Sequence, residues 1–184
     1  MRYFLALVVV CSLSRLLPHP PNVVCVAAVG LFAGAMIEKK WSYAIPALAM
    51  LLSDIVGHFA GVSGVTFYNP MIMLGVYASM TLSVLIGRWL GSSWHQGSAT
   101  RVLSRVTLAT LLASTTFFVF SNLAVWAYGW YPTTGAGLLA CFTAAIPFYG
   151  YTLAGDLAYS GIIFGAYYAV RATRTQADSA PAAC

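Results

Sequence analysis

Long apolar segments that carry almost no charge are the feature that most constrains this chain. Among its 184 residues, 60% are hydrophobic and only 7% are charged, whereas soluble domains carry about 25% charged residues. Such a composition is typical of a protein embedded in a lipid bilayer. A spanning helix takes roughly 20 residues, so the length suits a bundle of about six helices and leaves no room for a soluble catalytic domain.

Six apolar segments are candidates for the spanning helices. They lie at about 3–17, 23–37, 41–57, 71–90, 106–128 and 150–170. A further apolar segment, 137–150, contains Pro147, and we expect it to form a half-helix or an extension of the last span. The sequence therefore predicts an all-α membrane protein, a six-transmembrane-helix bundle in one domain over residues 1–174. The small, polar residues 175–184 are expected to form a disordered tail.

The distribution of basic residues predicts the topology of the bundle. Alternating the connections places eight Lys and Arg residues on one side and only Arg15 on the other. The positive-inside rule assigns the basic side to the cytoplasm, which gives cytoplasmic termini and an even number of spans. We expect a multi-pass protein of the bacterial inner membrane. Because the basic residues are scattered singly, they indicate topology rather than a nucleic-acid partner.

The connections on the opposite, outer side have a different character. They comprise residues 18–22, 58–70 and 129–136, and none of them contains Lys, Arg, Asp or Glu. They are rich in aromatic residues, glycine and proline, which limits their conformational freedom. Outer connections of this kind suit a lid over the bundle.

Two acidic residues lie within the apolar segments. Asp54 and His58 are four residues apart, which places both on one helix face near the outer end,. A carboxylate inside a span costs at least ~2.5 kcal/mol unless it faces a partner or a wet cavity, so it indicates a functional site. The equally weighted alternative is a structural pair between Asp54 and Arg15. Asp156 in the last span is the second such acid.

Further polar and aromatic residues fall at the same outer level. Asn122 could line a pocket or tie two helices together, and Trp126 and Tyr131 could belong to a pocket or to the aromatic belt of the membrane interface. The predicted ligand-binding residues are His19, Asn22, Asp54, His58, Tyr68, Met80, Asn122, Trp126, Tyr131 and Asp156.

Small residues and cysteines suggest packing roles. Gly30 and Gly34 form a GxxxG pattern, which predicts close helix packing within the bundle in preference to dimerisation,. Cys11, Cys25 and Cys141 lie in apolar runs without paired spacing and are expected to pack as small apolar side chains.

Sequence motifs of common enzymes are absent. The chain has no P-loop, GxSxG, HExxH or cysteine-histidine metal motif, so we expect neither an enzyme nor a catalytic cofactor,. A membrane enzyme or assembly factor that acts through the basic loop containing Arg101 and Arg105 is the least favoured alternative.

Three stretches together resemble a known family. "RLLPHPPN", "LSD" and "SNLAVWAYGWYPTTGAGLLACFTAAIPFYG", within residues 13–168, resemble the substrate-binding S components of energy-coupling-factor vitamin transporters. More narrowly, they are similar to the solitary, cobalamin-specific BtuM-like branch. The resemblance implies an S-component-like bundle of six helices whose outer loops close over a vitamin, with cobalamin as the transported ligand.

The resemblance also bears on partners and on cobalt. S components dock on a coupling subunit through AxxxA in the first helix, but here Val10 follows Ala6, which fits a protein that acts alone or with a different coupling module. In that branch a thiolate holds the corrin cobalt, and the alternative ligands here are His19, His58 and Met80. The second functional hypothesis is a transition-metal permease that uses Asp, His and Met ligands.

Overall fold

The computed structural model describes residues 2–37, 40–91 and 93–179 and is all-helical in these ranges. This confirms the predicted all-α class. The helices are α1 (Arg2–Leu16), α2 (Val26–Met36), α3 (Ala44–Ala60), α4 (Pro70–Leu90), α5 (Ala99–Ala127) and α6 (Gly135–Ser179), and a short 3₁₀ helix (Lys40–Tyr43) precedes α3.

Among the described residues, four helices are long and apolar enough to cross a membrane. They are α3 with its 3₁₀ turn, α4, α5 and α6. The α1 helix has 15 residues and α2 has 11, fewer than the roughly 20 that a perpendicular span requires. A membrane protein is therefore supported, while the count of six full spans and the location of the termini stay predictions.

The α2 helix lies inside the bundle. Nine of its eleven residues are buried, and it packs against α3, α4, α5 and α6. Its sequence, VAAVGLFAGAM, is apolar on every side, which is typical of a helix enclosed by protein,. The surrounding helices thus take the place that lipid would have around a spanning segment.

Glycines bring the backbones of α2 and α4 close together. A Cβ atom added at Gly34 would lie 2.1 Å from the carbonyl oxygen of Val84, and one added at Gly87 would lie 2.1 Å from that of Leu31. Neither position can hold a larger side chain unless the helices move apart. The small residues of α2 therefore pack within the bundle, as the GxxxG pattern predicts.

The α6 helix is continuous through Pro147 and contains 45 residues, which corresponds to roughly 67 Å at 1.5 Å per residue. Residues 137–150 are thus an extension of the last helix, the second of the two predicted arrangements. The helix also includes residues 175–179, where the sequence predicts the start of a disordered tail. The remainder of that tail, 180–184, lies outside the described residues.

The two ends of the bundle differ in charge. At one end Arg88 of α4 donates a hydrogen bond to Ser42 (3.1 Å), and Trp94 donates to the Met36 sulfur of α2 (3.4 Å). We call this the basic end, and its described basic residues are Lys40, Arg88, Arg101, Arg105 and Arg171. At the opposite, uncharged end, the connections 17–25, 61–69 and 128–134 contain no Lys, Arg, Asp or Glu.

Candidate functional site

A cleft of about 200 Å³ opens between the 17–25 connection, α4, α5 and α6. Its polar wall carries only neutral groups: Asn22, Ser121, Asn122, Tyr149 and Thr152. Its apolar wall is formed by Val76, Phe117, Phe118, Ala145 and Phe148. A second cavity, of about 90 Å³, lies beside Trp89 and Arg105 and is almost entirely apolar, so it offers few groups to orient a ligand.

The stiff connection between α1 and α2 places Asn22 at the cleft. Asn22 has φ 63°, in the left-handed region that asparagine tolerates better than most residues,. The amide of Val23 donates to the Pro20 carbonyl (3.1 Å), which closes the turn. A Cβ atom at Gly155 of α6 would lie 3.1 Å from the Cα of Val23. The turn therefore rests directly on α6.

Helices α5 and α6 supply the other walls. Ser121 and Asn122 each donate to a carbonyl one turn earlier in α5, at 2.6 and 2.7 Å, which fixes both side chains. The rings of Phe118 and Tyr149 pack 4.8 Å apart across the two helices. Neutral hydrogen-bonding groups beside aromatic faces suit an uncharged organic ligand, because a bound ion would find no opposite charge in the cleft.

Asp54 does not reach this cleft. Its Oδ1 lies 2.9 Å from Nη2 of Arg15, and the carboxylate is 2% exposed. Tyr77 of α4 donates a hydrogen bond to the other oxygen, and Arg15 also donates to the Met50 carbonyl (3.1 Å) and to Ser53. The alternative prediction for Asp54, a structural ion pair with Arg15, is confirmed. A binding role for Asp54 would have to compete with these contacts.

The two histidines among the predicted site residues also lie outside the cleft lining. His58 is exposed, and its Nδ1 lies 2.9 Å from Thr66 Oγ1 in the connection after α3. Asp54 and His58 therefore do not form one polar site, although their spacing predicted it. His19 is half-buried, with its ring nitrogens 2.8 Å from the Pro20 carbonyl and 3.3 Å from that of Arg15.

The remaining predicted aromatic and sulfur side chains are those of Tyr68, Met80, Trp126 and Tyr131. Tyr68 is 43% exposed, and partial burial together with the negative charge of Asp54 raises its pKa. Met80 is buried in the apolar core. Trp126 donates to the Pro132 carbonyl (3.1 Å), and Tyr131 is half-buried. None of these four lines the cleft.

Asp156 lies one helical turn from the cleft residue Thr152. It is 2% exposed, and Ser114 of α5 donates a hydrogen bond to its Oδ2 (2.7 Å). Within the described parts of the chain, no three His, Cys, Asp or Glu side chains are placed to share a metal ion. Each of the alternative cobalt ligands, His19, His58 and Met80, lies outside the cleft lining, and cobalt ligation stays a prediction.

Of the ten predicted site residues, Asn22 and Asn122 are the two that share the cleft. The sequence analysis missed Ser121, Tyr149 and Thr152. Tyr149, Thr152 and Asp156 follow one another at spacings of three and four residues, which places them on one face of α6,. That spacing next to a buried acid is the signal that would have identified the α6 wall.

Residues 1–179 match the DUF6580 family model, which is described as a family of unknown function. The chain belongs to this family. No curated protein and no solved structure matches it.

Proposed function

We propose that this protein is an integral membrane uptake protein that binds an uncharged organic substrate, of the vitamin class, in the cleft at the uncharged end. The observation that carries the proposal is the lining of that cleft, which combines neutral amides and hydroxyls with aromatic rings. Sites for small organic molecules have this composition. The four candidate spans and the basic opposite end support a location in a bacterial inner membrane,.

The size of the cleft restricts the ligand. Its volume of about 200 Å³ is smaller than the roughly 300–1,000 Å³ of typical drug-sized sites. A compact ring with hydrogen-bonding substituents fits the present arrangement. A corrinoid is much larger and would enter only if the 17–25 connection, which supplies Asn22 to the lining, moved away from the bundle. Cobalamin stays in the proposal because of the family resemblance, and its binding would require that opening.

A transition-metal permease receives less support. Asp54 is engaged by Arg15 and Tyr77, and His58 is turned toward the connection after α3. We therefore propose transport of an organic molecule, without catalysis, either by this chain alone or together with an energy-coupling module.

Ligand binding can be tested on the purified protein in detergent. A visible spectrum reports a co-purified corrinoid, and thermal unfolding in the presence of cyanocobalamin, biotin, riboflavin or nicotinamide reports binding to the folded state. We expect one of these compounds to raise the melting temperature. If none does and no corrinoid co-purifies, the proposal of a vitamin site is wrong.

A pair of variants links binding to the cleft. Asn122→Leu removes the amide at similar size, and loss of its hydrogen bond should raise Kd by roughly tenfold, or about 1.4 kcal/mol. Thr143→Val is the matched control, because Thr143 is exposed on α6 and only donates to the Leu139 carbonyl (2.7 Å). Equal affinities for the Asn122→Leu variant and the wild type would place the site elsewhere.

A further inference from the structure

Asp156 is a buried acid that the proposed cleft does not use directly. It lies in α6, 15 positions before Arg171 at the start of the basic end, and is 2% exposed. Ser114 of α5, itself fully buried, donates to Oδ2 at 2.7 Å. The carboxyl therefore lies in the middle of the bundle, between the cleft and the basic end.

In the described chain, no Lys, Arg or His side chain pairs with Asp156, in contrast to Asp54. The elements that pack against this part of α6 are α5 and α2 with its preceding connection. The α5 helix contributes hydroxyl groups, and the N-terminus of α2 contributes Cys25. Cys11 of α1 and Tyr159 of α6 are the titratable groups next to Cys25.

A line of hydroxyl groups continues from the cleft past Asp156. Thr152, one turn before it, lines the cleft and is 3% exposed. Ser160, one turn after it, is 1% exposed, and its Oγ has no hydrogen-bond partner among the described groups. Residues at these spacings share one helix face. Thr152, Asp156 and Ser160 thus lie along one buried face of α6.

The burial of Asp156 without a cation indicates that its carboxyl can bind a proton. An ionised carboxylate without a cation is costly inside a membrane, and acids in such positions are found in proton relays. A protonated carboxyl is neutral and gains an O–H donor, and its carbonyl oxygen can still accept the hydrogen bond from Ser114. When the acid is charged, the Ser114 hydroxyl still donates to it. Both protonation states therefore have a hydrogen-bond partner nearby.

We propose that Asp156 is a proton-binding site that exchanges its proton with water in the cleft along the Thr152 face of α6. A hydronium ion in the cleft gives its proton to the carboxylate, leaving water and the neutral acid, and the reverse step returns the proton. The coupling of this proton exchange to uptake rests on the function proposed above. The existence of the proton-binding site does not depend on that function. Substrate movement and proton movement would then share one wall of the bundle.

Infrared difference spectroscopy of the ligand-free protein in detergent tests the site. We expect the carbonyl stretch of a protonated carboxylic acid to appear and disappear as pH is varied, and to be lost in Asp156→Asn. Asp156→Glu should retain a titrating band. Ser114→Ala should move the band to higher frequency, because a hydrogen bond to a carbonyl lowers its stretching frequency. A spectrum without a titrating acid band, or one unchanged in Asp156→Asn, overturns the proposal.

The proposed route is tested by the rate at which the same band shifts after transfer from H₂O to D₂O. Thr152→Val should slow this shift severalfold, whereas Thr143→Val, on an exposed part of α6, should leave it unchanged. Equal rates in both variants would overturn the route through Thr152. Neither infrared measurement needs a substrate, so both can be interpreted even if the vitamin proposal is wrong. Conversely, a negative infrared result does not affect the binding experiment with Asn122→Leu.

Discussion

Arg15 and Asp54 form an ion pair that joins the last turn of α1 to α3, with Nη2 and Oδ1 2.9 Å apart. The side chains are only 12% and 2% exposed, and Tyr77 adds a hydrogen bond from α4. Three helices thus meet at one buried carboxylate near the uncharged end. Removal of one partner would leave the other charge buried without compensation, which is much costlier than the loss of an exposed pair.

Arg15→Met should therefore destabilise the protein by about 3–5 kcal/mol, measured as the loss of helical circular dichroism in a denaturant titration in detergent. Arg101→Met is the control, because Arg101 is exposed and such substitutions stay within about 0.5 kcal/mol. The double variant Arg15→Met, Asp54→Leu should recover part of the loss. A wild-type midpoint for Arg15→Met would contradict a structural role for the pair.

Gly34→Ala should destabilise the bundle by about 1–3 kcal/mol, as overpacked sites do. The added methyl group would meet the backbone of Val84, which cannot rotate away. Gly161→Ala is the matched control in α6, since a Cβ atom there has no heavy atom within 4 Å, and replacing an unconstrained helical glycine gains up to ~1 kcal/mol. The same denaturant titration measures both variants. Equal midpoints would mean that α2 and α4 are farther apart than described.

Single cysteines at exposed connection residues should reveal the topology. In a Cys184→Ser background, Ser63→Cys and Thr133→Cys at the uncharged end should react with a membrane-impermeant maleimide added to intact cells. Gln96→Cys, near the basic end, should react only after permeabilisation, because basic connections stay in the cytoplasm,. Labelling of Gln96→Cys and Thr133→Cys from the same side would disprove the predicted orientation.

Three buried native thiols should be inert in the folded protein. Cys11, Cys25 and Cys141 are 0%, 3% and 2% exposed, and reaction requires an accessible thiolate. Mass spectrometry of the Cys184→Ser protein after maleimide treatment should show no adduct before denaturation and three after it. Rapid labelling under native conditions would indicate that the core around Cys11 and Cys25 opens readily.

The fold could be predicted from the sequence for those helices whose length and apolar composition are determined by the lipid bilayer. Segments such as 71–90 match α4 within one residue because a spanning helix must be both long and apolar,. The situation of α2 was not predictable from hydropathy, since a helix enclosed by protein and one exposed to lipid have the same apolar composition. Pro147 left two arrangements open, and α6 is continuous because helices can continue through proline in membranes when other groups satisfy the freed carbonyl.

The site was predictable only in part. Asn22 and Asn122 stood out as polar residues in apolar surroundings, and both line the cleft. Pairing Asp54 with His58 by their spacing failed because burial along α3 changes within one turn. Gly57 packs against Val65 of the following connection, whereas His58 turns outward to Thr66. Such local environments depend on how distant segments fold back, which helical spacing does not encode.

The enclosure of α2 also has a consequence for how the protein is assembled. This helix is synthesised well before α4, α5 and α6, the neighbours that surround it. At eleven residues it reaches only about 17 Å, so it cannot cross a bilayer of roughly 30 Å by itself. The nascent helix therefore reaches its final environment only after α4, α5 and α6 have been inserted around it.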